Sequence, residues 1–114
     1  MSEEIILGLG SNLGNQLQNL ENALTKLKQI KKLSILKVSS LYKSDPQLPD
    51  NAPLDWNRTY INTAIKCTTT LTPEKLLIAI KQTEIDIGRT PADTWAPRVI
   101  DIDILLFGKK SYSK

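Results

Sequence analysis

The stretch from Arg98 to Gly108, Arg-Val-Ile-Asp-Ile-Asp-Ile-Leu-Leu-Phe-Gly, constrains the fold of this chain more than any other. It is rich in β-branched residues and is punctuated by Pro97 and Gly108, which predicts a strand. Strand alternation places Ile100, Ile102, Ile104 and Leu106 on one face without a polar atom, and Val99, Asp101, Asp103, Leu105 and Phe107 on the other. The first face demands a cover of other elements. The second carries two carboxylates roughly 7 Å apart, from two steps of strand rise. Carboxylates together with phosphate oxygens are the ligands Mg²⁺ prefers. An Asp-x-Asp on its own is more often a pair of side chains pointing to water, so its meaning depends on the rest of the chain.

Composition narrows the class. At 114 residues the chain is expected to form one domain, 1–114, with a real core. Hydrophobic residues at 40% and charged residues at 24% are those of an ordinary globular protein. A net charge of +3 is too weak to argue for nucleic acid and suits an anionic small-molecule substrate. The single cysteine, Cys67, excludes an internal disulfide and fits a reducing compartment. With no long apolar run and an acidic start, Met-Ser-Glu-Glu, neither a membrane span nor a secretory signal is expected, which predicts a cytoplasmic protein. The chain contains no histidine, so imidazole catalysis and His–metal ligation are excluded within it.

Along the chain, Ile5 to Leu9 predicts a first strand, broken by the small-residue loop Gly10-Ser11-Asn12 and Gly14-Asn15. That loop lacks the Lys-Ser/Thr ending of a phosphate P-loop. Leu13, Leu17, Leu20, Leu24, Leu27 and Lys31 recur at helical spacing and predict an amphipathic helix from Gln16 to Lys31. Ser34 to Ser44 alternates as a second strand, with Leu36, Val38, Ser40 and Tyr42 on one face, and Tyr42 reads as sheet packing. Residues 45–58 hold three prolines, three Asp and two Asn without an apolar period, a functional or mobile loop in which Trp56 is either an exposed aromatic or packs the loop against the domain. Thr59 to Thr70 predicts a third strand with Ile61, Ile65 and Cys67 inward and Tyr60, Asn62 and Ala64 outward. Thr72-Pro73-Glu74 opens a second helix whose stripe is Leu76, Leu77, Ile80, Thr83 and Ile87 and whose end is Gly88. Lys81 and Glu84 fall on its flank, toward Arg89. The loop 90–96, with Trp95, leads to the carboxylate strand. The order is β-α-β-β-α-β, an α+β ferredoxin-like sandwich: an antiparallel four-stranded sheet with both helices on one face.

With these elements placed, the sequence resembles the 6-hydroxymethyl-7,8-dihydropterin pyrophosphokinase family. The resemblance is carried by Gly8-Leu9-Gly10-Ser11-Asn12-Leu13-Gly14, Ser39-Ser40-Leu41-Tyr42, Tyr60-Ile61-Asn62, Glu84 with Gly88-Arg89, and Trp95-Ala96-Pro97-Arg98-Val99-Ile100-Asp101-Ile102-Asp103. It implies a folate-pathway transferase that moves pyrophosphate from ATP to the pterin hydroxymethyl group and releases AMP. It further implies that Asp101 and Asp103 ligate two Mg²⁺ ions, that Arg89 and Arg98 clamp phosphate, and that Lys81 and Glu84 lie near the nucleotide together with Arg98. Ser44, Tyr60, Asn62 and Trp95 are the implied pterin-binding residues, and the loops 45–58 and 90–96 the implied flaps. Asp45 intervenes before Pro46, where the family commonly has Pro directly after the Thr/Ser position. Family members continue for several dozen residues, so the chain is expected to be a C-terminally incomplete piece, and the resemblance allows the next folate-pathway enzyme as a partner in a longer chain.

Two rivals come from other classes. A ferredoxin-like RNA-binding module would place aromatics on the open sheet face and keep carboxylates off it. This chain has six aromatics in all and puts two Asp there, so small-molecule substrates are expected and nucleic acid is not. A non-catalytic regulatory or assembly fragment is the second rival, and it predicts no Mg²⁺-dependent nucleotide binding.

Overall fold

The computed structural model describes residues 2–89, 96–108 and 110–111. Its elements are β1 (Glu3–Ser11), α1 (Gln16–Lys28), β2 (Leu33–Val38), β3 (Tyr42–Ser44), a short 3-10 turn at Leu54–Trp56, β4 (Tyr60–Thr69), α2 (Pro73–Ile87), β5 (Asp101–Phe107) and β6 (Lys110–Ser111). Every strand pairing is antiparallel. The sheet runs β2-β4-β1-β5-β6, with β3 also on β4. This is the ferredoxin-like order, so the expected fold class holds. Two details are new: the second predicted strand is split into β2 and β3, and β6 extends the far edge.

β1 lies between β4 and β5, which fixes its two faces. Ile5, Leu7 and Leu9 point into the core at 0–2% exposure, and Ile102 and Ile104 lie beside them on β5. Leu20, Ala23 and Leu27 of α1 and Leu76 and Ile80 of α2 close that core from one side. Full burial of one such side chain contributes about 1.5–3 kcal/mol.

The helix boundaries follow local chemistry. Asn15 caps α1 by accepting from the Gln18 amide at 3.2 Å. The helix ends at Lys28 rather than Lys31, because Lys32 takes a φ of 70° and turns the chain so that Leu33 enters β2 buried. Leu17, expected on the buried stripe, is 52% exposed, and Ala23 takes an inward place instead. At α2, Thr72 accepts from the Lys75 amide at 3.3 Å, Pro73 opens the helix and Gly88, at φ 121°, ends it as expected.

Two bulges overturn strict alternation. Between Ile6 and Leu7 the β1–β5 register shifts, so Leu7 faces Ile104 while Ile6 faces Leu106. The extra β5 residue is Leu105, and beyond it the faces exchange. Leu106, predicted inward, is 41% exposed, while Phe107, predicted outward, packs on the core. A second shift between Ile35 and Lys37 leaves Leu36 54% exposed. Strand structure begins at Asp101, after Val99 and Ile100. Trp56, for which the sequence leaves both exposure and packing of the loop onto the domain open, is half-buried in the 3-10 turn.

Leu7 and Cys67 provide tests. Leu7→Ala empties a fully buried site at the sheet centre, and urea unfolding should show a loss of about 2–5 kcal/mol. Burial pushes the Cys67 thiol up to about 11. The folded state therefore holds this proton more tightly than the unfolded chain. Its stabilising contribution is complete below the ordinary value of 9.0 and is lost as pH rises toward 11. The native protein should accordingly resist a thiol reagent at pH 8 and react once unfolded.

Candidate active site

The open face of the sheet is built around two glycines. Gly10 on β1 faces Asn62 of β4 on one side and Asp101 of β5 on the other. Two residues along, Gly8 faces Ala64 and Asp103. Neither glycine offers a side chain, so the carboxylates and Asn62 stand on opposite sides of a bare floor. Space at Gly10 is limiting, since an added Cβ would come 2.6 Å from Asn62 Oδ1.

A cavity of about 490 Å³ lies on this floor. Tyr42, Ser44, Tyr60 and Asn62 form one wall, Arg98, Asp101, Asp103 and Leu105 the other, and Asp45, Pro46 and Gln47 the rim. Asn62 Nδ2 donates to Ser44 Oγ at 2.8 Å and more weakly to the Tyr42 carbonyl at 3.4 Å. The amide is thus oriented by its neighbours, a polar group with a defined direction inside a cavity. Tyr60 is half-buried, and burial raises its phenol above its ordinary value of 10.0. The Arg98 guanidinium pulls the other way and Asp101 adds to the rise.

The charged wall is a linked series. Arg98 Nη1 donates to Asp101 Oδ1 at 3.1 Å, and Arg89 Nη1 donates to the same oxygen at 3.3 Å. Arg89 Nη1 also donates to Glu84 Oε2 at 2.6 Å. That oxygen accepts the Ile102 amide at 2.8 Å, and Lys81 lies 3.4 Å from Glu84 Oε1. Glu84 is only 1% exposed. It lies on the buried stripe of α2, not on its flank, and it does not line the cavity. Its geometry is that of a positioning group: it holds Arg89 beside Asp101 and anchors the start of β5. Lys81 meets Glu84 from the solvent side and likewise does not line the cavity.

Six of the expected site residues therefore share one cavity: Ser44, Tyr60, Asn62, Arg98, Asp101 and Asp103. Arg89 joins them through Asp101. Trp95 lies outside the described residues. Tyr42, read as packing, is 51% exposed on the cavity wall, because it pairs with Asn62 across β3 and β4. The break between β2 and β3 resets its face, which alternation from Leu36 misses. Gly8 and Gly10 could have been found by extending the register of β1 against the Asp pair.

The donor set suits a hard divalent cation. Among the described residues no group of three or more His, Cys, Asp or Glu side chains could hold a metal. An ion between Asp101 and Asp103 would take its remaining ligands from water or substrate oxygens, the usual habit of Mg²⁺.

The family model for 7,8-dihydro-6-hydroxymethylpterin-pyrophosphokinase (HPPK) matches residues 6–112. The chain belongs to the HPPK family. A 2-amino-4-hydroxy-6-hydroxymethyldihydropteridine pyrophosphokinase of Aquifex aeolicus is 38% identical over 103 residues, 90% of this chain and 60% of that protein. Its Bacillus subtilis counterpart is 36% identical over 112 residues, 97% of this chain and 64% of that protein. A mitochondrial folate synthesis bifunctional protein of Pisum sativum is 39% identical over 107 residues, 94% of this chain but 20% of that protein. This chain thus spans less than two thirds of each of these relatives. Among solved structures, Plasmodium falciparum HPPK-DHPS superposes with a TM-score of 0.67 at 18% identity, covering 95% of this chain and 30% of that one, a likeness of fold. Among the described residues no helix is long and apolar enough to cross a membrane.

The glycine floor can be tested directly. Gly10→Ala should displace the Asn62 amide from Ser44 while leaving the fold intact. In a ¹H–¹⁵N spectrum the Asn62 side-chain signals should move, with the melting temperature shifted by no more than a few degrees, since the conflict is with side chains, the tip of Asn62 and, at 3.3 Å, the ring of Tyr60.

Proposed function

We propose that this HPPK-family chain transfers a pyrophosphoryl group from ATP to the hydroxymethyl group of 6-hydroxymethyl-7,8-dihydropterin. A bond forms between the hydroxymethyl oxygen and the β-phosphorus as the hydroxyl proton passes to water, the bond from that phosphorus to the α,β-bridging oxygen breaks, and AMP leaves. The observation that carries the reading is the shared cavity. Asp101 and Asp103 stand on one side of the Gly8–Gly10 floor, and the oriented Asn62 amide stands on the other. A phosphate-rich substrate fits the first wall and a flat heterocycle the second.

Each residue has a task in this scheme. Asn62 and Ser44 hydrogen-bond the edge of the pterin, and Tyr60 packs beside it as a neutral phenol. Arg98 and Arg89, already gathered at Asp101, bind phosphate oxygens through planar guanidinium forks. Asp101 and Asp103 would hold Mg²⁺, two ions in the reading adopted here, which supplies charge neutralisation and activation of the hydroxyl when bound. Lys81 and Glu84 support Arg89, and Trp95 belongs with the substrate-binding residues. Positioning and electrostatics carry the rate, so the lack of histidine in this segment is no objection to the chemistry. The same reading places the protein in the cytoplasm, works on small molecules without nucleic acid or membrane, and accommodates a neighbouring folate enzyme in a longer chain.

Product analysis tests it. With ATP, Mg²⁺ and the pterin, the protein should form AMP only when pterin is present, and Asp101→Ala should lower the rate by about 10²-fold or more. Formation of ADP would overturn the reaction assignment, and absence of turnover by a folded wild-type chain would count against activity of these 114 residues.

A further inference from the structure

Asn12 is 3% exposed, and its hydrogen bonds reach two distant parts of the chain. Its backbone amide donates to the Arg98 carbonyl at 3.1 Å, and its Oδ1 accepts the Arg98 amide at 2.8 Å. Its Nδ2 donates to the Arg58 carbonyl at 3.1 Å. Residue 12 lies one step past Ser11, where the β1 ladders to β4 and β5 have ended. Arg58 stands just before β4, which carries Tyr60 and Asn62, and Arg98 just before β5, which carries Asp101 and Asp103. One carboxamide therefore bridges the entry points of the two opposing cavity walls. Nearby, Gln16 Nε2 donates at 2.7 Å both to the Ser11 carbonyl and to the Thr59 carbonyl, which steadies the β4 side of the same junction.

The bridge needs a donor and an acceptor on one short side chain, and asparagine is the residue that supplies both at this length. An aspartate would keep the acceptor for Arg98 and present an oxygen to the Arg58 carbonyl. A serine is too short to span both.

We propose that Asn12 is a positioning residue that couples the two walls of the cavity, holding the β4 entry and the β5 entry at a fixed separation. In ligand terms this rests on the reading above: the pterin would meet the β4 wall and the triphosphate the β5 wall.

Two variants separate the halves of the bridge. In Asn12→Asp, NMR amide exchange at Arg98 should stay within about twofold of wild type, since its acceptor is kept, while the Arg58 carbonyl ¹³C resonance should shift, since that carbonyl loses its donor. In Asn12→Ser the Arg98 amide should exchange faster and the Arg58 carbonyl resonance should shift as well. Titration calorimetry with 6-hydroxymethylpterin and with a non-hydrolysable ATP analogue plus Mg²⁺ then gives a second readout. The Asp variant should bind pterin about tenfold more weakly and the nucleotide within about twofold. Equal acceleration at every sheet amide in the Asp variant, or equal weakening of both ligands, would overturn the proposal in favour of a general stability role. An unchanged Arg58 carbonyl resonance would overturn it as well. If the wild-type chain binds neither ligand, the functional reading fails, and the Arg98 amide and Arg58 carbonyl signals still decide the role of Asn12.

Discussion

Glu84 is a carboxylate at 1% exposure among aliphatic side chains, and the arrangement of the site depends on how its charge is met. Arg89 and the Ile102 amide both reach its Oε2, and Lys81 approaches the other oxygen from the solvent side. Removing one partner from a buried pair of this kind typically costs about 3–5 kcal/mol, because a charge is left uncompensated. Such a group is a poor source of net stability and a strong source of geometry. It ties the end of α2 to the first residues of β5, so the helix layer and the carboxylate strand share one reference point. Arg89 is carried to Asp101 by that tie, and Arg98 meets the same oxygen from the β5 side.

The sheet divides its labour by face. The core face of β1, β4 and β5 is aliphatic, and it is the source of the stability that lets the open face be polar. On the open face the central strand contributes glycine at both positions that matter. The absence of Cβ atoms at Gly8 and Gly10 makes a cavity where a sheet would ordinarily present a flat or convex surface. The polar groups of the cavity then come from the flanking strands, Asn62 and Tyr60 on one side and the Asp pair on the other, held apart by the width of β1. The space between them is open only because nothing rises from the middle.

Much of this was legible in the chain. The element order, the inward Ile100, Ile102 and Ile104, the outward Asp pair and the caps of α2 follow from periodicity and capping chemistry, which act over a few residues and are written locally. Leu106 and Phe107 changed faces because a bulge at Leu105 adds one residue, and a bulge is a property of two paired strands. Tyr42 moved from packing to the cavity wall for a similar reason: the break after Val38 is bridged by Ser39, whose amide donates to the Ala64 carbonyl and whose Oγ accepts the Ala64 amide. Glu84 moved from the flank into the core because Arg89 and the Ile102 amide were there to receive it, and neither partner is visible from helical spacing.

The sequence by itself determined the fold class, the face on which the carboxylates stand and the family to which the chain belongs. Those rest on alternation, helical period and motif, all of them short-range. Only the tertiary structure decided which residues meet: that Gly10 separates Asn62 from Asp101, that two arginines share one carboxylate oxygen, and that Asn12 joins Arg58 to Arg98. These pairings span up to 86 positions of chain. They are set by strand register and by the need of every buried polar group for a partner, and no local pattern specifies either.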